Sequence, residues 1–195
     1  MATDVTVMAE SPLDRLLELS CTEIERRAAL AAPSPSPSPS VFDSGASAFR
    51  SALGSASTVP VPKRTVPVTQ HLAGIGDSAL ALAVHEAAPE LSWVASPRTT
   101  DGGRDVALAP INDIRDLGSL TCGLMLLAPN AVYPEHSHPP QEIYLPIAGG
   151  GSWRYGGQAN FRVLADDALV YNNPGDIHSV VADDEPLLAL YILWP

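Results

Sequence analysis

Cysteine is scarce in this chain: 195 residues contain only Cys21 and Cys122. With no metal-type spacing between them, they argue against a disulfide framework or a thiolate metal site, and both read as buried thiols. Basic residues are also few, 11 Lys and Arg against 22 Asp and Glu, for a formal charge of -11. That balance argues against nucleic acid as a partner, because phosphate contacts need a basic surface. It tolerates a cationic ligand, although a solubilising surface is the simpler account of it. Apolar runs of the roughly 18 to 20 residues needed to cross a membrane are missing. Met1 to Glu10 show no basic segment followed by an apolar one, so a cytoplasmic location is the default expectation.

The chain does have enough apolar residues for one core: 46% are hydrophobic and 17% charged, within a length suited to a single compact unit. Ser11-Pro12 followed by Leu13, Leu16, Leu17, Ile24 and Leu30 predicts a capped amphipathic helix. Pro33 to Ser40 alternates Pro and Ser, which favours an extended spacer. Two further helices are expected around Ala46 to Leu53 and Asp77 to Ala88, separated by the Pro-rich stretch Val59 to Pro67. His71 and His85 in this region lack partners at ligand spacing and read as ordinary surface or core histidines.

Beyond Leu91 the texture changes to short apolar runs broken by Gly, Pro, Asn and Asp, the pattern of an all-β sandwich or barrel. The clearest strands are expected at Leu120 to Ala128, Glu142 to Ala148, Ser152 to Tyr155, Ala168 to Tyr171 and Leu187 to Trp194. The last is apolar almost throughout and should be covered on both faces. The expected organisation is therefore a helical extension over residues 1–90 and a β-barrel over residues 91–195.

Chemistry concentrates in two short segments. In His136-Ser137-His138-Pro139-Pro140-Gln141-Glu142-Ile143-Tyr144, two imidazoles and a carboxylate lie close together, and Pro139-Pro140 lets the chain bend back to present Glu142. Asn173-Pro174-Gly175-Asp176-Ile177-His178 places a fourth ligand after a tight turn. Three imidazoles and one carboxylate suit one divalent transition metal (Zn, Fe, Mn, Ni or Co) better than Ca or Mg, which prefer oxygen shells. Residue chemistry alone reads Tyr144 as a structural tyrosine whose hydroxyl bonds inside the core.

His136-x-His138-x3-Glu142-x6-Gly149 and Pro174-Gly175-x2-His178 resemble the two cupin motifs. The departures are Asn130 where the first motif opens with Gly, Ala168 where the second does, and Ala182 where the second often ends with Asn; none is a ligand. Tyr133-Pro134-Glu135-His136-Ser137-His138, Glu142-Ile143-Tyr144 and Leu188 to Trp194 are further similar to the cupin-type dimethylsulfoniopropionate (DMSP) lyases, over roughly Leu120 to Trp194. The Pro-Ser spacer is not a feature of that family.

The resemblance implies a mainly β fold, the cupin double-stranded β-helix or jelly-roll, with an α-helical N-terminal part. It implies cleavage of DMSP to dimethyl sulfide and acrylate, with Tyr144 as base and Tyr133 assisting or positioning substrate. The sulfonium, a soft cation without a hydrogen to donate, would be held by aromatic faces. Among Trp153, Tyr155, Tyr191 and Trp194, Trp194 is the residue chosen for that role, while Tyr191 and Trp194 should occupy opposite faces of a regular strand. The competing readings are an Fe(II)-dependent cupin oxygenase on the same ligands and a non-catalytic cupin that binds a small ligand. A homodimer stays open.

Overall fold

The computed structural model describes residues 11–30, 39–165 and 167–195. Helix α1 (Pro12–Leu30) begins where the sequence predicts, and Ser11 Oγ accepts the Asp14 N–H at 3.1 Å as its N-cap. Residues 33–38 of the Pro-Ser spacer lie outside the described residues; Pro39 and Ser40 already belong to α2 (Pro39–Ser55), which is longer than expected. Helix α3 (Ala79–Ala87) is capped by Ser78, whose side chain accepts from the Ala81 N–H. None of the described helices is long and apolar enough to cross a membrane.

Strands β1 (Ser57–Thr58), β2 (Val94–Ala95), β3 (Val106–Pro110), β4 (Arg115–Asp116), β5 (Thr121–Leu127) and β6 (Val132–His136) come first. They are followed by β7 (Gln141–Ala148), β8 (Gly151–Arg154), β9 (Arg162–Val163), β10 (Val170–Asn172), β11 (His178–Ala182) and β12 (Leu187–Trp194). They form a six-stranded antiparallel sheet, ordered β10-β7-β12-β5-β3-β2, and a four-stranded one, ordered β6-β11-β8-β9. A two-stranded ladder, β1 with β4, ties the segment after α2 to the barrel region.

Strand β12 is central to the larger sheet and buries Leu187, Leu188, Ala189 and Leu190 fully or nearly so, as its continuous apolar run requires. The inner faces of the two sheets meet at Tyr144 of β7 and Trp153 of β8, whose rings are 5.3 Å apart. The helices complete the same core: Leu13, Leu16, Leu17, Ile24 and Phe49 are essentially inaccessible to solvent. Arg115, buried at the barrel edge, fastens α1 by donating to Asp14 Oδ1 and Ser11 Oγ.

Two turns show why particular residues stand where they do. Asn130 has φ +61°, a left-handed conformation that Asn tolerates better than most side chains, so it replaces the glycine of the motif without requiring a different turn. Gly149 has φ +75°, and a Cβ there would overlap the Pro186 carbonyl; glycine is required on both counts.

Candidate metal centre

Strand pairing brings the two motif segments together at one end of the barrel. His136 ends β6 and lies in register with His178 at the head of β11, while Glu142 is the second residue of β7. The loop between β6 and β7 carries His138, and the Gly175 N–H donates to its carbonyl at 2.9 Å, locking the Pro174-Gly175 turn onto that loop. The same turn is held by Asp176, whose Oδ2 accepts from the backbone and side-chain amides of Asn173.

The ring nitrogens of His136, His138 and His178 lie within 4.8 Å of one another, a group able to hold a metal ion. Each ring is oriented the same way. Nδ1 of His136 lies 2.8 Å from the Pro134 carbonyl, that of His138 3.1 Å from the Pro140 carbonyl, and that of His178 2.9 Å from the Asp176 carbonyl. A carbonyl only accepts, so Nδ1 carries the proton and donates it, leaving a lone pair on Nε2.

Glu142 Oε2 sits 3.1 Å from Nε2 of His138 and 3.1 Å from Nε2 of His178. Neither nitrogen has a hydrogen-bond partner. With the proton already on Nδ1, these are lone pair to lone pair contacts that a cation between them would turn into attraction. Ligands about 2 Å from a shared ion stand roughly 3 Å apart when adjacent, and the 3.1 Å separations match. The residues therefore fit a divalent transition metal.

Without a cation, protons on the imidazoles would take its place beside Glu142. Burial alone would raise the Glu142 carboxyl, but the His138 and His178 imidazoles override it and hold it down at about 2. Glu142 raises His138, whereas burial and the neighbouring His178 lower His136 to about 4. Near neutrality Glu142 is thus an anion and His136 a neutral donor.

One residue of this centre has no motif to announce it. Asn172 of β10 faces Glu142 in the strand register and donates Nδ2–H to Oε2 at 3.0 Å. Its own Oδ1 accepts from the Gly156 N–H at 3.1 Å, which decides the direction of the amide. Only the β10–β7 pairing makes it recognisable.

His136, His138 and Glu142 open into a cavity of about 160 Å³. Tyr133 and Tyr144 line it, as does Arg98, the only Lys or Arg among the described residues to do so. Arg98 is brought to the mouth by a loop organised around Asp101, whose carboxylate accepts from Thr99 Oγ1 and the N–H groups of Gly103, Asp105 and Val106. Burial and the Glu142 charge push the Tyr144 phenol well above its ordinary value; burial also raises Tyr133, against the opposing charge of Arg98.

The choice of Trp194 for this cavity is corrected by the structure. On β12, Tyr191 and Leu193 face the cavity, whereas Trp194 lies on the opposite face, packed over Gly45 and 6.4 Å from the Tyr171 ring. Strand parity separates them, and α2 covers the Trp194 side.

Two facing antiparallel sheets, with a histidine cluster brought together by paired strands at one end, define the cupin class of barrel. Residues 44–189 match the dimethylsulfoniopropionate lyase family, and the chain belongs to that family. A relative from Cereibacter sphaeroides, provisionally named dimethylsulfoniopropionate lyase DddL, is 35% identical over 74 residues, covering 37% of this chain and 30% of that one. The chain thus spans less than a third of that curated relative. The DMSP lyase DddQ from Ruegeria pomeroyi DSS-3 has a similar fold, with TM-score 0.67 and 19% identity over 93% of this chain and 92% of that one. A structure from work on the DMSP lyases RdDddP and RnDddQII gives a TM-score of 0.62 at 19% identity, over 93% and 94% of the two chains.

Proposed function

We propose that this protein is a carbon–sulfur lyase that cleaves DMSP to dimethyl sulfide and acrylate by β-elimination. Family membership over residues 44–189 carries the choice of substrate. What supports the chemistry is a tyrosine two residues from Glu142, lining the same cavity as His136 and His138.

His136, His138, Glu142 and His178 would hold one divalent transition metal. When bound, such an ion supplies Lewis acidity toward a carboxylate and a positive field that favours the Tyr144 phenolate. That field is needed. An unperturbed tyrosine has a pKa of about 10, and here burial and Glu142 push it further up.

The remaining work falls to side chains. Arg98 at the mouth attracts the substrate carboxylate. Tyr144 removes the proton from the carbon next to that carboxylate. The C–H electron pair becomes the new C=C bond, the C–S bond breaks, and its electrons leave with sulfur as neutral dimethyl sulfide. Tyr144 then returns its proton to solvent, so the reaction is redox-neutral and needs no oxygen. Tyr133, beside the His136 ring at 4.7 Å, positions the substrate.

The test is anaerobic incubation of metal-loaded protein with DMSP, measuring headspace dimethyl sulfide and dissolved acrylate. Equal amounts of the two are expected. Absence of acrylate would rule the reaction out.

A further inference from the structure

The charged and imidazole groups lining the cavity are His136, His138, Glu142 and Arg98; the inner face of the larger sheet adds Leu108, Met125, Tyr191 and Leu193, with Leu193 paired to Glu142 and Tyr191 to Tyr144. Glu142 is the only carboxylate among the described residues that line the cavity, and it already faces two imidazoles and Asn172. A cationic group entering here therefore finds no free carboxylate. It finds an aromatic ring, a thioether and aliphatic side chains.

Tyr191 is held in an unusual way. Strand register sets it opposite Gly123 of β5 on one side and Tyr144 of β7 on the other. A Cβ at Gly123 would overlap the Tyr191 hydroxyl and its ring carbon, and would lie 2.9 Å from the Ala109 carbonyl. The phenol thus lies down across the glycine backbone instead of standing up into the cavity. Its ring lines the cavity, and Tyr144 meets it at 6.3 Å and 60°. The hydroxyl is kept neutral by burial, so the ring acts as a neutral π-surface.

We propose that Tyr191 is the specificity-determining residue for the cationic end of the substrate, with Gly123 supplying the space that lets its ring lie flat. This rests on the DMSP reading above. The ring face attracts a cation that has no proton to donate, and the adjoining Leu193, Leu108 and Met125 enclose its methyl groups. The substrate carboxylate is left to point toward Arg98 and the imidazoles.

Binding separates this proposal from the reaction itself. Two probes that cannot undergo the elimination, the trimethylammonium analogue of DMSP and its neutral tert-butyl isostere, are titrated calorimetrically into metal-loaded protein. The wild type is expected to bind the cationic probe about tenfold more tightly than the neutral one. Tyr191→Phe, which keeps the π-face, should retain most of that ratio; Tyr191→Leu should bring it close to one, at unchanged metal content. Gly123→Ala should weaken both probes by pushing the phenol into the cavity.

A ratio that survives Tyr191→Leu would overturn the proposal, and so would a wild type that does not prefer, or does not bind, the cationic probe. If Tyr191→Leu does not fold, Tyr191→Phe and Tyr191→Met carry the comparison, with loss of the ratio expected only in the second. Failure of the lyase assay with the binding ratio intact would count against the reaction and not against Tyr191.

Discussion

Asn172 and Glu142 face each other on paired strands 30 residues apart in sequence, and the asparagine amide donates to the carboxylate oxygen that both His138 and His178 approach. Replacing Asn172 with Leu should leave the three histidines in place but free Glu142 to rotate. Metal affinity is expected to fall 10- to 100-fold, the usual consequence of losing a partner that orients a ligand. Competition with a chelator of known affinity measures it, and an unchanged affinity would remove Asn172 from the centre.

Tyr144→Phe should lower elimination by at least about 100-fold, the lower range for loss of a general base. Bound metal, measured by elemental analysis, should not change, because the phenol is not among the proposed ligands. His138→Ala should lose both.

Acid should destabilise the chelator-treated protein in a defined window. His136 is lowered from 6.5 to about 4 by burial and by His178. Between those values the unfolded chain binds the proton that the folded one refuses, so stability is fully present above pH 6.5 and falls toward pH 4. The loss is at most roughly 3 kcal/mol. Glu142, held at about 2, adds a second loss as the pH drops below about 4.5. Above pH 6.5 the raised His138 gains stability as it takes up its proton, so the midpoint in thermal unfolding should fall from pH 6.5 to pH 4; a flat profile across that window would contradict this account.

Gly149→Ala should destabilise the barrel by at least about 2 kcal/mol, combining a positive φ with an overlap against the Pro186 backbone. For a chain of this size that corresponds to a fall in Tm of roughly 4–8 °C. Differential scanning calorimetry would reveal it.

Trp194→Phe should leave DMSP turnover and probe binding intact. The indole faces α2, and its N–H is buried without a hydrogen-bond partner, so the loss of ring volume is partly offset by removing that unsatisfied donor. A large rise in KM would restore Trp194 to the cavity.

The sequence made legible whatever is local. The start of α1 shows through Ser11-Pro12 and its leucine spacing, β12 through its unbroken apolar run, and the three-histidine cluster through imidazoles beside tight turns. Strand parity even predicted that Tyr191 and Trp194 would part company. It did not say which of the two would face inward, because both faces of β12 are covered and the apolar pattern is the same on each.

The candidate ligand types and their spacing, the turn chemistry and the bulk of the strands were thus legible in the sequence alone, since each depends on residues within a few positions of one another. Tertiary structure alone decided that Asn172 steadies Glu142, that Arg98 reaches the mouth, and that Tyr191 lies over Gly123 while Trp194 turns to α2. These are consequences of which strands pair and in what register, and pairing is settled by burial across the whole barrel, not by any single segment.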